Sequence, residues 1–444
     1  MPMTVIDDGQ RFVLSLGKEY KMLPEILLFI LMMGIMIVGS MFKKVPMSLI
    51  LIIAAVVGAL CAGLGFPVRA MIEGTQQFFS LMLVVATGML FMGILKANGA
   101  LDALATLIVK AFYRWPVVML SFMMLLIMLP GMLTGSAPAA VLSTGMLCVP
   151  IFLKLGIPKE ETGAIVALGA LYGMIAPPIN VPAMIISTGV YMPYEGFAGI
   201  LCAITIPLAI FSVLFIGKKF VKKIDPVHTL EGIDPAPKGK EFTIHLPMLF
   251  IIIAMVISRM FPTVIPDIGT SGIFFIGTII ACFTGKRINV LKAAKDAMVG
   301  AIDVLALFAA VGVLISIFAM NGVRGLMVYV SLSMTGALIY LAMAVSVPIL
   351  SGPLMPFGAA AVLGVPFIMA TSNLNSIMVT SGLTMLMGIG ALMPPTAISG
   401  QFAQQAVGVE KYGTMIKKCI VPIIVTIIAS VLVIVFAQQL GQIF

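Results

Sequence analysis

The sequence predicts an all-α integral membrane protein of two inverted-topology repeats, each carrying a re-entrant helical hairpin and a broken helix. Three observations predict it. Of 444 residues, 61% are hydrophobic and 10% charged, with a mean hydropathy of +1.19. Soluble domains are about 45–50% apolar and about 25% charged, so the solvent for this chain is lipid. Lys and Arg gather in short segments between apolar runs, the distribution expected of cytoplasmic loops. Two long apolar stretches, 115–190 and 335–408, are interrupted by Gly and Pro at corresponding places.

Residues 1–23 hold Asp7, Asp8, Arg11, Lys18, Glu19 and Lys21 around one apolar patch. They do not read as a cleavable signal, and insertion is expected to begin with the first hydrophobic helix. A spanning helix needs about 20 mostly apolar residues, which places spans at 25–42, 46–64, 79–97, 197–217, 245–261, 270–285, 302–320 and 420–441. The linker 218–243 carries Lys218, Lys219, Lys222, Lys223, Lys238 and Lys240 and is placed in the cytoplasm. Counting outward, Lys43 with Lys44, Lys110 with Arg114, Lys154 with Lys159, Lys286 with Arg287, Lys292 with Lys295, and Lys411 with Lys417 and Lys418 all fall on the same side. The opposite loops, 65–78, 191–196, 262–269 and 371–376, contain one Arg and no Lys. Both termini are therefore expected outside.

This topology makes 115–155 a hairpin that enters and leaves from the cytoplasm, and 335–370 one that enters and leaves from outside. Broken helices follow at 160–190 and 376–408. The halves, 24–217 and 244–444, also match in order. Asn98-Gly99 corresponds to Asn321-Gly322. Gly135 precedes Pro177-Pro178 by 42 residues, as Gly352 precedes Pro394-Pro395, and Pro207 corresponds to Pro422. Inverted repeats with interrupted helices at corresponding positions mark the substrate site of secondary transporters, since irregular backbone survives at membrane depth only beside protein or a water-filled cavity.

Four segments qualify: the tips Pro130–Pro138 and Ser351–Gly358, and the breaks Ala176–Asn180 and Met393–Ala397. Paired prolines remove two amide donors and free the carbonyls one turn earlier. Such carbonyls are hard ligands for a cation, while the helix N-terminus beyond the break favours an anion. Each tip–break pair is thus expected to hold one alkali cation: Gly135, Ser136, Ala176 and Pro177 at the first, and Gly352, Met355, Met393 and Thr396 at the second. Thr134, Ser136, Asn180, Ser351 and Thr396 are the expected substrate contacts. Gly and Pro also kink packed membrane helices without binding anything, and their recurrence beside both tips favours the site.

Among the 17 acidic residues, Asp102 and Asp303 are the two expected near apolar helices. Asp102 is read as the N-cap of an amphipathic stretch, 101–112, and Asp303 as snorkelling to the cytoplasmic interface. Arg324 is read as an anchor at the outer interface, and His228 and His245 flank the linker. Proton carriers use intramembrane acid or His chains, and their scarcity points to sodium. The five cysteines lack metal spacing and read as packing residues. No HExxH, GxSxG or carboxylate pair suggests an enzyme, no catalytic residues are assigned, and no organic cofactor is expected. A channel needs a filter repeated around an axis, which two antiparallel half-sites do not supply. The net charge of +9 is spread over loops rather than gathered on one face, so the expected partner is membrane lipid and not nucleic acid.

These residues resemble the large membrane subunit of TRAP transporters, the DctM-like family of the ion transporter superfamily, over about 25–440. The resemblance rests on Thr134-Gly-Ser-Ala-Pro-Ala-Ala140, Leu153-Lys-Leu-Gly-Ile-Pro-Lys-Glu-Glu161, Ala176-Pro-Pro-Ile-Asn180 and Leu392-Met-Pro-Pro-Thr396. It implies an elevator mechanism, sodium-coupled import of small carboxylates such as C4-dicarboxylates or sialic acid, and a bacterial inner-membrane location. It also implies an extracytoplasmic substrate-binding protein and a small four-helix membrane subunit, which the chain length leaves as either separate or absent. The second tip, Gly352-Pro-Leu-Met-Pro356, departs from the Asp-Pro of many members, and no Arg or Lys sits at any tip or break. A stand-alone, dimeric carrier of an organic or inorganic anion from the same superfamily is the alternative.

Overall fold

The computed structural model describes residues 8–42, 45–221, 229–230, 239–260, 268–334 and 336–443. Lys43, Lys44, Lys222, Lys223, Lys238 and His228 lie outside them. Among the described residues, eighteen helices of nine or more residues carry the architecture. The first half contains α1 (Asp8–Met41), α2 (Met47–Cys61), α3 (Val68–Gln77), α4 (Phe79–Ala97), α5 (Ala100–Phe112), α6 (Pro116–Thr134), α7 (Ala137–Lys154), α8 (Lys159–Ile175), α9 (Val181–Gly189) and α10 (Phe197–Gly217). The second contains α11 (Leu246–Met260), α12 (Gly269–Phe283), α13 (Val290–Met320), α14 (Val323–Ser333), α15 (Ala337–Ala370), α16 (Ser376–Ile389), α17 (Ile398–Val407) and α18 (Tyr412–Val435). No strand occurs among the described residues, and eight helices are long and apolar enough to cross a membrane. The predicted spans overlap helices of this set, with residue 261 of the span 245–261 outside the described residues.

Two departures from expectation have local causes. The loop 65–78 contains α3, whose Arg69, Glu73, Gln76 and Gln77 give it a polar face that a hydropathy reading passes over. Asp102 is not the N-cap of α5. Gly99 occupies that position at φ +83°, and Asp102 sits one turn inside, where its charge meets the positive end of the helix.

A frame forms from α1–α4 and α11–α13, with the 31-residue α13 packed on α2, α3 and α4. Without a hydrophobic drive between helices in lipid, close approach of small residues supplies the attraction. Gly74 of α3 lies against Gly312 of α13, Gly93 of α4 against Ala297, and Ser316 Oγ donates to the Ala70 carbonyl at 2.9 Å. On the outer side of α1, Leu27, Ile30, Val38 and Met41 are exposed, as a lipid-facing stripe requires.

The connections from frame to centre repeat in detail. Asn98 ends α4 and Asn321 ends α13; each is followed by a glycine in the left-handed region, at +83° and +80°. Each Asn Oδ1 accepts the amide two residues on, from Ala100 at 3.0 Å and from Val323 at 3.2 Å. The chain then turns into α5 or α14 and onward into a hairpin.

The centre holds both hairpins, both broken helices, α10 and α18. The foot of the first hairpin, at Gly156, lies against Phe220 where the linker begins. Near the foot of the second, Met369 faces Arg324, whose Nη2 donates to the Gly189 carbonyl at 2.7 Å. Glu161, absent from the expected intramembrane acids, is buried at the start of α8 and paired with Lys418 of α18 at 2.9 Å. Asp303 is exposed.

Buried Tyr172 of α8 joins the two outer helices of the centre. Its hydroxyl lies 3.0 Å from Ser212 Oγ of α10 and 2.9 Å from Thr426 Oγ1 of α18. Ser212 and Thr426 each also donate to a carbonyl four residues back, at 2.7 and 2.8 Å. Tyr172→Phe therefore removes a bridge while its partners keep a backbone acceptor. The expected loss is about 1 kcal/mol, read as a lower melting midpoint of the purified protein.

Candidate functional site

The site is assembled where the backbone leaves its helices. At the first break, Ala176 is extended (φ −85°, ψ 155°), as a residue before proline must be. Pro177 and Pro178 follow, and Asn180 caps the new helix α9 by accepting the Ala183 amide at 3.0 Å. At the second break, Met393 is extended (φ −90°, ψ 135°) before Pro394 and Pro395, and Ala397 opens α17 in the left-handed region at φ +40°. Both Pro-Pro bonds are cis.

Each break is stitched to its hairpin tip. Ile179 N donates to the Met132 carbonyl at 3.1 Å, and the Thr396 hydroxyl donates to the Gly352 carbonyl. The helices before the breaks approach the first arms of the hairpins with glycine at the contacts: Gly131 and Gly173 on one side, Gly390 against Ser351 and Gly352 against Met393 and Pro394 on the other. Each second arm contains a π turn, Val141–Gly145 and Ala360–Gly364, a feature frequent at functional sites because it frees a carbonyl from the helical ladder. In the first, the Leu142 carbonyl accepts from Lys96 Nζ of α4 at 2.9 Å, a bond between frame and centre.

These contacts correct the register of the second tip. Met132 pairs with its break as Gly352 does, and Gly131 as Ser351 does, so the hairpins correspond with an offset of 220 residues. The turn at Gly135 (φ +65°) then matches Met355, the residue with non-helical backbone at φ +59°, ψ 160°. Gly352 lies inside the helical arm, one turn before the tip. Its glycine is required by the close backbone of Met393 and Pro394, not by a turn.

Each predicted site residue has a place in this arrangement. Thr134 is buried, donates to the Pro130 carbonyl at 2.6 Å and accepts from Ser136 N at 3.2 Å. Buried Ser136 caps the second arm through Ala139 N at 3.3 Å. Ser351 is buried and donates to the Val347 carbonyl at 2.6 Å. Gly135, Ala176 and Pro177 are buried together at the first tip and break. Met355, Met393 and Thr396 are half-buried and Pro394 is exposed. The first break is the more buried of the two.

Asn180 ties the first break to α16, the helix that leads into the second. Completely buried, it donates through Nδ2 to the Ile175 carbonyl at 2.7 Å and to Thr384 Oγ1 of α16 at 3.1 Å, across the two halves. Its amide donates to the Tyr194 hydroxyl at 3.1 Å, which in turn donates to the Pro178 carbonyl at 3.2 Å. Thr384, Tyr194 and Tyr412, whose hydroxyl donates to the Leu392 carbonyl, were not anticipated. Only the Tyr194–Pro178 spacing lies close enough in sequence to have hinted at a contact.

Outside the tips, donors from the frame side hold the end of α9. Gln77 Nε2 of α3 donates to the Thr188 carbonyl at 3.3 Å, beside the Arg324–Gly189 bond. The exposed Arg69–Glu73 pair of α3, at 2.8 Å, borders the same groove; its hydrogen bond and charge raise the Arg69 pKa above the ordinary value.

The arrangement offers neutral oxygens, helix N-termini and no fixed charge at the tips. Such a set suits an alkali cation and a small anion held together, and offers no nucleophile–base pair. Among the described residues no group of three or more His, Cys, Asp or Glu is placed to hold a metal. The family model for the tripartite ATP-independent periplasmic transporter, DctM component, matches residues 26–440. No curated protein matches the chain.

Proposed function

This chain belongs to the DctM family, and we propose that it is a sodium-coupled permease importing small carboxylates by an elevator mechanism. The family is the large membrane component of a tripartite transport system, a multi-pass protein of the bacterial inner membrane whose system includes a small membrane subunit and a substrate-binding protein. In this reading the two halves are inverted repeats, both termini face outward, and the linker is cytoplasmic. The centre carries both tip–break pairs and moves against the frame. Cations lie at the carbonyls of Gly135, Ser136, Ala176 and Pro177, and of Gly352, Met355 and Met393 with Thr396. The substrate carboxylates lie between the pairs, neutralised by the cations and by the N-termini of α9 and α17. Thr134, Ser136, Asn180, Ser351 and Thr396 supply the polar rim.

The observation that supports this reading most is the Asn180–Thr384 bond, which ties the first break to α16, the helix that leads into the second break. The experiment is uptake into proteoliposomes containing the chain, its small subunit and loaded binding protein. A sodium gradient alone is expected to drive accumulation. Uptake indifferent to sodium and driven by a proton gradient would sink the coupling.

A further inference from the structure

Two consecutive carbonyls at the first break have no donor. Ala176 is 0% exposed and Pro177 is buried, and among the described residues no amide or side chain donates to either carbonyl. Buried backbone carbonyls are nearly always paired, so an orphaned pair asks for an explanation. The prolines supply part of it, because they bring no amide to the turn. They do not explain Ala176, since the amide four residues on, the ordinary helical donor to its carbonyl, belongs to Asn180 and is present.

That amide is diverted. Asn180 N donates to the Tyr194 hydroxyl at 3.1 Å, and the same hydroxyl donates to the Pro178 carbonyl at 3.2 Å. One oxygen thus takes the donor that would close on Ala176 and spends its own proton elsewhere. The half-buried ring that carries it is held in place. It stacks on Phe197, the first residue of α10, with centroids 5.1 Å apart, and packs on the cluster of Ala183, Phe197 and Leu201.

The second break shows the alternative. With Pro177 matched to Pro394, Ala176 corresponds to Met393 and Asn180 to Ala397. There the amide does close the turn: Ala397 N donates to the Met393 carbonyl at 2.9 Å. Tyr412, which opens the helix after that break, donates to the Leu392 carbonyl instead. The turn is closed where no hydroxyl intercepts the amide and open where one does.

We propose that Tyr194 is a positioning residue for the first cation site: its hydroxyl holds the Asn180 amide off the Ala176 carbonyl and so keeps the Ala176 and Pro177 carbonyls free for sodium. Bare carbonyls can replace the hydration shell of an alkali cation, and a carbonyl that already accepts an amide has less to give. The role rests on the sodium-coupled reading and adds to it a residue outside the tips and breaks.

Tyr194→Phe keeps the ring and its stacking and removes the hydroxyl. The Asn180 amide is then expected to close on Ala176, as Ala397 closes on Met393, so the melting midpoint without sodium changes little. The test is that midpoint for the purified protein over a sodium series, with choline holding the ionic strength constant. The sodium needed for a given rise scales with the dissociation constant. It is expected to increase about tenfold, the factor for losing one good oxygen contact to a charge. Half-saturating sodium for uptake is expected to move in parallel, with uptake at saturating sodium near parental. Phe197→Leu removes the ring that orients Tyr194 but leaves the hydroxyl, and is expected to raise the sodium requirement by less. Should Tyr194→Phe fail to fold, Phe197→Leu carries the test, and an unchanged requirement there overturns the role. A Tyr194→Phe protein that melts lower without sodium yet keeps the parental sodium requirement makes the hydroxyl a structural bond alone and overturns the role. A parent whose midpoint ignores sodium overturns the coupling as well.

Discussion

Asn180→Ala is expected to reduce sodium-driven uptake by about 100-fold or more while the protein still inserts. Three bonds disappear with the side chain: to the Ile175 carbonyl, to Thr384 and from Ala183 N. The helix cap is worth about 1 kcal/mol, and each buried group left without its partner costs about 1–3 kcal/mol. The loss falls on the first break and on its tie to α16, the helix that leads into the second break. Uptake normalised to the amount of protein in the membrane checks this, with the melting midpoint measured alongside. Near-parental uptake would remove Asn180 from the transport centre.

The second large effect concerns the glycines where hairpins meet broken helices. A methyl group at Gly390 would lie 2.5 Å from the Ser351 backbone, and one at Gly173 would lie 2.9 Å from the Met128 Cα. Backbone cannot swing aside as a side-chain tip can. Gly390→Ala and Gly173→Ala must therefore push a hairpin arm off its helix, at about 1–3 kcal/mol of overpacking, and displace the tip from the break. Uptake is expected to fall at least about tenfold in each, in line with that cost. Gly34→Ala, in open space on α1, is the control. It is expected to be neutral or to stabilise by roughly 0.5–1 kcal/mol, since alanine is the better helix former. Equal melting points and uptake across all three variants would contradict the packing argument.

Local chemistry was readable in the sequence where a residue type has few conformational choices. Proline lacks an amide and restricts its predecessor, so Ala176 and Met393 had to be extended. Asn-Gly at 98–99 and 321–322 had to end helices, and it does so with the same side-chain bond in both halves. What the sequence concealed depends on contacts between distant segments. Thr384 meets Asn180 across 204 residues, and nothing in its own surroundings distinguishes it from Thr380 or Ser381. Within the second tip, Ser351–Gly358, the pairing of Gly352 with Gly135 was one turn out for a related reason. Gly352-Pro353 has the composition of a turn, yet this glycine serves a close helix approach, and the turn falls on Met355. Glu161 was overlooked because its partner, Lys418, lies on α18.

In the proposed elevator, the difference in burial between the two breaks is the asymmetry expected of one state of alternating access. Pro394 is exposed while Ala176, Pro177 and Asn180 are buried. Sidedness of labelling tests this most directly. Single cysteines are placed at Met355 and Ser136, in a background from which the exposed Cys61 has been removed, and membrane-impermeant maleimide is applied from each face of oriented vesicles. Since the moving centre carries both tips together, they are predicted to react from the same face in a given state, with sodium shifting both rates from one face to the other. Reaction of the two tips from opposite faces, with no response to sodium, would contradict a shared centre that alternates between the two sides.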